Sequence, residues 1–114
     1  MHVHEFQALA NRSAKELPLH KALLHIVTGL SGEVGELSDA NKKAEIYGNP
    51  YDLDNVAEEI GDLLWFLAYA ANTFGFSLET IARQNIEKLA TRYPDGYSDY
   101  HAFKRLDKEE TLGH

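Results

Sequence analysis

The chain is 114 residues long, 44% hydrophobic, free of cysteine and formally charged −7. This predicts one globular domain over residues 1–114 with a modest core, and excludes a disordered chain, a disulfide framework and Cys-ligated zinc. The acidity argues against a nucleic-acid polymer as partner, which would call for a basic face, but not against a nucleotide, whose charge a metal ion can offset. The longest apolar run, Leu63 to Ala71, is too short to span a membrane and too late for a secretory leader. No membrane partner is expected, and the default address is cytoplasmic.

Proline is confined to Pro18, Pro50 and Pro94, and these positions punctuate helical patterns. A first short helix is expected over about residues 2–14, with Val3, Phe6, Leu9 and Ala10 as its apolar side. Pro18 suits the first turn of a second helix running to Ile46, stopped by Tyr47-Gly48-Asn49-Pro50. Asp52 or Asp54 can cap a third helix that ends near Phe74, where Gly75 fits a left-handed C-terminal cap. Ser77 can cap a fourth helix ending before Pro94, and the short Gly75-Phe76-Ser77 connection suits antiparallel neighbours. Residues 95–100 read as turn and loop, and the whole of 98–114 as a tail or frayed helix. With no strand alternation anywhere, the expectation is an all-α bundle of about four helices.

Helical periodicity groups Leu23, Ile26, Val27, Leu30, Val34 and Leu37 on the second helix, and Val56, Ile60, Leu63, Leu64, Leu67, Ala71 and Phe74 on the third. These stripes are the expected core. Trp65 and Tyr69 project from the far side of the third helix, which leaves it apolar nearly all round and suggests a second subunit there.

Two acidic pairs border these stripes: Glu33 with Glu36, and Glu59 with Asp62. Spacing of three puts both carboxylates of a pair on one side of a helix. A single pair is ordinarily a solvated surface, and Glu36/Asp39 and Asp107/Glu110 repeat the spacing. Two pairs on packed helices would gather four anions, which require a counter-charge; a hard divalent cation and a phosphate substrate supply the chemistry. Gly29, Gly32 and Gly35, each costing about 1 kcal/mol relative to alanine inside a helix, suggest close packing or room for a ligand beside the glutamates. Phe66, in angle between Glu59 and Asp62 and one turn on, offers a base-stacking wall. Asn85, Lys88 and Arg92 form a polar stripe on the fourth helix suited to phosphate oxygens, with Lys42 and Lys43 as additions. The histidines show no ligand-like pairing: His20 and His25 read as surface or core-edge residues, and His2, His4, His101 and His114 lie near the ends. There is no Glu-x-x-His, P-loop or Gly-x-Ser-x-Gly motif, which leaves metal-assisted hydrolysis as the leading chemistry.

Three segments together resemble the MazG-like members of the all-α nucleoside triphosphate pyrophosphohydrolase superfamily: Gly-Leu-Ser-Gly-Glu-Val-Gly-Glu-Leu at 29–37, Glu-Glu-Ile-Gly-Asp-Leu-Leu-Trp at 58–65 and Asn-Ile-Glu-Lys-Leu-Ala-Thr-Arg-Tyr-Pro at 85–94. The likeness covers about residues 20–97. It implies Mg²⁺-dependent cleavage between the α and β phosphates, giving a monophosphate and pyrophosphate, with Mn²⁺ as a substitute ion. By this resemblance Glu33, Glu36, Glu59 and Asp62 ligate metal, and Asn85, Lys88 and Arg92 contact phosphate. Glu36, nearer solvent, is the choice for catalytic base, and Phe66, Tyr69 and Trp65 for the base-binding wall. The family pairs short subunits as homodimers or homotetramers, completing the bundle by oligomerisation. Only one copy of the motif is present, so roles tied to tandem members do not carry over. The rival readings are an all-α pyrophosphatase acting on dUTP, dCTP or phosphoribosyl-ATP, and a non-catalytic helical interaction or metal-binding module.

Overall fold

The computed structural model describes residues 1–105, 107 and 108; Glu110 and His114 lie outside the described residues. Five helices appear among these: α1 (Val3–Asn11), α2 (Leu19–Glu45), α3 (Leu53–Phe74), α4 (Leu78–Arg92) and α5 (Asp99–Lys104). The all-α expectation holds, the only extended pairing described being an isolated bridge between Pro94 and Gly96. The chain divides into two compact units, Met1–Leu78 and Glu79–His114.

In the first unit the helix ends follow their local chemistry. Asp52 caps α3 by accepting from the Asn55 N–H at 3.1 Å. Gly75 closes α3 with φ of 73°, the left-handed conformation that glycine adopts without a Cβ penalty. Pro18 immediately precedes α2, and the helix stops at Ile46. The Tyr51 hydroxyl ties the following connection back, with partners Asn41 Oδ1 at 2.5 Å and Glu45 Oε1 at 2.9 Å.

α2 and α3 pack antiparallel, as their meeting residues run in opposite order. Glu59 meets Glu33, Phe66 meets Gly29 and His25, and Tyr69 clusters with Ala22 and Ile26. α1 packs across α3, where Ala10 of α1 and Ala68 and Ala71 of α3 are buried. An amide clamp joins these two helices. Gln7 Nε2 donates to Asn72 Oδ1 at 2.9 Å and to the Phe76 carbonyl at 2.8 Å, while Asn72 Nδ2 donates to the Gln7 carbonyl at 3.1 Å. Gln7 Oε1 also accepts from the Leu78 N–H at 2.8 Å, satisfying a donor that the first turn of α4 leaves without an intrahelical acceptor.

The core differs from the expected stripes. Ile26 and Ala71 are buried, but Val27 is 63% exposed and Ile60 56%, and Val34, Leu64, Leu67 and Phe74 are exposed too. Tyr69, expected on the far side facing another subunit, is only 5% exposed, and Trp65 packs against the same cluster. The physical reason is size matching. Aromatics at 65, 66 and 69 need room opposite, and Ala22 and Gly29 provide it, with Ile26 packed between them. The α2–α3 contact therefore runs along one edge of the expected stripes: Ile26 and Ala71 are buried and Leu23, Leu30, Leu37, Val56 and Leu63 half-buried, while the other edge stays exposed.

In the second unit, the short α5 stands where a tail or frayed helix was expected. The Ser98 hydroxyl caps it by accepting from the His101 N–H at 3.1 Å, and Gly96 takes the preceding turn with φ of 89°. Among the described residues, no helix is long and apolar enough to cross a membrane.

Candidate metal and nucleotide site

Glu33 on α2 and Glu59 and Asp62 on α3 bring carboxylate oxygens within 4.8 Å of one another. That span is roughly two metal–oxygen bond lengths for a hard divalent ion. The location follows from the packing: Glu33 continues the contact line of α2 one turn beyond Gly29, and Glu59 occupies the matching position on α3. Glu59 is 8% exposed, and its Oε2 is buried with no hydrogen-bond partner among the described residues. A buried carboxylate oxygen without a donor costs free energy unless something positive satisfies it. No lysine or arginine does so by a described ion pair: Lys42 and Lys43 both pair with Asp39, and Arg92 with Asp107.

The electrostatics express the same crowding. The Glu59 carboxyl is pushed up to about 7 from an ordinary 4.5. Its hydrogen bond with Glu33 is the largest cause, followed by desolvation and then the charges of Glu33, Glu36 and Asp62. Without a cation, the crowding favours a proton on Glu59. This donor set, all oxygen with one orphaned atom, fits a hard divalent cation better than a transition metal that seeks imidazole or thiolate.

Glu36 stands apart from the three-acid cluster. It is exposed, and with Asp39, Ala40, Lys43, Asn49, Pro50, Asp52 and Asn55 it lines a cavity of about 420 Å³ at the connected end of the hairpin. Asn49 and Asn55 had no sequence signal beyond their places in a turn and a first helical turn. Lys43 reaches Asp39 at 2.8 Å and Lys42 at 3.5 Å, so the lysines expected to supplement a phosphate grip are internally paired.

One turn along from the acids lies an aromatic group. The outer end of the Phe66 ring lies against the backbone of Gly29, where any Cβ would overlap it. Trp65, Phe66 and Tyr69 surround His25, with ring centroids 6.4, 5.5 and 5.5 Å from the imidazole. The sequence had left His25 as a surface or core-edge residue. Its signal was its place one turn before Gly29 on the line that faces α3. Of the three glycines, Gly29 alone serves close packing, since Gly32 and Gly35 open onto free space.

Asn85, Lys88 and Arg92 lie on α4, in the second unit. Asn85 and Lys88 are exposed. Arg92 makes a two-point ion pair with Asp107, Nε to Oδ1 at 2.9 Å and a terminal nitrogen to Oδ2 at 3.3 Å. The pairing holds Asp107 below the usual carboxylate range.

The family model for the MazG nucleotide pyrophosphohydrolase domain matches residues 21–97. The chain belongs to the MazG family. The matched span includes the acidic cluster, the aromatic group and α4. The chain is also 30% identical over 107 residues to the "Gene 37 protein" of Mycobacterium phage L5, covering 84% of this chain and 92% of the phage protein. No solved structure matched it. MazG domains as a family hydrolyse nucleotide pyrophosphate bonds and typically depend on a divalent metal, which is the chemistry the acidic cluster is suited to.

Proposed function

We propose that this MazG-family chain, residues 1–114 acting as one domain, is a Mg²⁺-dependent nucleoside triphosphate pyrophosphohydrolase. The observation that carries the reading is the buried Glu59 carboxylate with its orphaned oxygen, gathered with Glu33 and Asp62 within 4.8 Å. Glu33, Glu59 and Asp62 would hold the cation, with Glu36 as a further ligand from the rim. Mg²⁺, or Mn²⁺ in its place, supplies positive charge against the phosphates and acidifies water.

The protein's own groups do the rest. Glu36, exposed and outside the three-acid cluster, accepts the proton of the attacking water. The water oxygen bonds to the α-phosphorus as the bond to the α–β bridging oxygen breaks, releasing a monophosphate and pyrophosphate. Asn85, Lys88 and Arg92 contact phosphate oxygens, Arg92 exchanging its Asp107 partner for phosphate. The nucleotide base rests on the accessible edge of the aromatic group, against Trp65 and Phe66, with the buried Tyr69 backing them. Tyr69 lies seven residues beyond Asp62, a rise of about 10 Å along α3, comparable with the reach from an α-phosphate to the far side of its base. A cytoplasmic address fits this reading, since nucleoside triphosphates are made and spent there.

The same reading includes a second copy of the chain. Four exposed apolar residues each directly follow an inward-facing one: Val27 after Ile26, Val34 after Glu33, Ile60 after Glu59 and Leu67 after Phe66. On each helix this sets the stripe roughly a third of a turn from the contact line, and in an antiparallel pair both stripes fall on the same side. A two-helix apolar face of this kind is half of a four-helix bundle. A homodimer, or a tetramer built from dimers, would cover it.

The decisive assay is a panel of canonical, deoxy and oxidised triphosphates, with dUTP, dCTP and phosphoribosyl-ATP included, measured for pyrophosphate release with Mg²⁺. Pyrophosphate from at least one is expected. Release of orthophosphate instead, or of nothing from any, overturns the reaction.

A further inference from the structure

The aromatic group beside the acids has four rings, and their polar atoms are not equally available. Trp65 Nε1 donates to Ser13 Oγ at 2.8 Å, and the Tyr69 hydroxyl donates to the Lys15 carbonyl at 3.4 Å. Phe66 has no polar atom. His25 is exposed, its ring contacts are with the three aromatics alone, and neither ring nitrogen has a hydrogen-bond partner among the described residues. Stacking on an aromatic face tolerates any base, because every base has a π-face, whereas discrimination requires hydrogen bonds to the base edge. Within this group only the imidazole has both a donor and an acceptor left, since the buried Tyr69 hydroxyl donates to the Lys15 carbonyl and keeps acceptor capacity alone. A neutral imidazole carries one donor and one acceptor, the two functions needed to distinguish a carbonyl from an amino group.

We infer that His25 is the specificity-determining residue for the nucleotide base. The inference rests on the reading of the acidic cluster as the phosphate end of a nucleotide site. Trp65, Phe66 and Tyr69 hold the imidazole by edge contacts, interplanar angles of 61°, 90° and 75°, and so fix the direction in which its nitrogens point. The fixed ring selects among bases, and the aromatic faces supply affinity common to all of them.

The test uses Trp65, the only tryptophan of the chain, as an internal reporter. Nucleoside 5′-monophosphates bearing adenine, guanine, cytosine and uracil are titrated into the full chain with Mg²⁺, following Trp65 emission, for wild type, His25→Phe and His25→Asn. The wild type is expected to prefer one base. His25→Phe keeps a ring in the aromatic group but removes both nitrogens, and the ratio of best to worst affinity should fall about three- to tenfold, the worth of one neutral hydrogen bond. His25→Asn, which keeps a donor and an acceptor, should retain part of that ratio. Should His25→Phe fail to fold, judged by its melting curve, the His25→Asn ratio measured against His25→Ala decides in the same way. An unchanged ratio, an equal loss for all four bases, or a wild type indifferent to the base overturns the inference. Absence of pyrophosphate release with base-selective binding intact would instead overturn the proposed reaction and leave His25 as the reader of the base.

Discussion

Glu59 is where charge, burial and function meet at the level of single residues. Its folded carboxyl titrates near pH 7 and its unfolded carboxyl near 4.5, so between these values the metal-free folded chain holds a proton that the unfolded chain has lost. Stability from this group is therefore fully present below about pH 4.5 and declines as pH rises toward 7. Asp39 and Asp107 are shifted the other way, and their contribution is lost only as pH falls below the ordinary 3.8. A cation competes with the Glu59 proton, so the rise in melting temperature on adding saturating Mg²⁺ should be larger at pH 8 than at pH 5.5. Equal rises would show that the cation binds elsewhere. Glu33→Gln and Glu59→Gln should abolish both that rise and turnover. Glu36→Gln should lose turnover while keeping most of the rise; full turnover by Glu36→Gln alongside a dead Glu33→Gln would remove Glu36 from its catalytic role.

At the scale of elements, two glycines one turn apart on α2 should respond oppositely to the same change. Gly32→Ala meets nothing within 4 Å and gains helix propensity, up to about 1 kcal/mol of stability. Gly29→Ala gains the same propensity but drives a methyl group into Phe66, whose ring is held by His25 and Trp65. Overpacking of this kind costs about 1–3 kcal/mol and outweighs the gain. Thermal melts of the two variants check the sign of each. The amide clamp makes a similar claim for α1: Gln7→Ala removes both bonds donated by its amide nitrogen and leaves the Leu78 N–H without its acceptor. A loss of about 1–3 kcal/mol is expected in urea unfolding. No change in the unfolding midpoint would mean that α1 is held by its alanine contacts alone.

For the whole molecule, the exposed stripes of α2 and α3 set the expected assembly. Leu67→Glu places a charge in the apolar face away from the acidic cluster, and sedimentation should show a shift from dimer or tetramer to monomer. A wild type that sediments as a monomer would contradict the proposed second copy. The two-unit organisation bears on Arg92 as well. Its engagement with Asp107 lies within one unit, so Asp107→Asn should free the guanidinium and lower KM for a triphosphate, whereas Arg92→Ala should raise it. Opposite changes in KM, measured by pyrophosphate release, distinguish a phosphate contact from a purely structural ion pair.

Helix locations were legible because their determinants are local: Pro18 ahead of α2, Asp52 and Gly75 bounding α3, and the breaker at 47–50. The four acids were legible too, since i, i+3 spacing beside an apolar stripe survives any arrangement of the helices. Which face of α2 meets α3 was not local. Periodicity ranks faces by hydrophobicity, and it chose the stripes of Val27, Val34, Ile60 and Leu67. The fold chose by shape, setting bulky Phe66 and Tyr69 against Gly29 and Ala22. That choice buried Glu59, drew its titration toward neutrality, and made the exposed His25 the polar member of an aromatic group. Composition and spacing by themselves determined an all-α chain with acids at helical intervals. Only the tertiary structure decided that three of those acids share one small volume, because only complementary packing fixes the rotation of one helix against another.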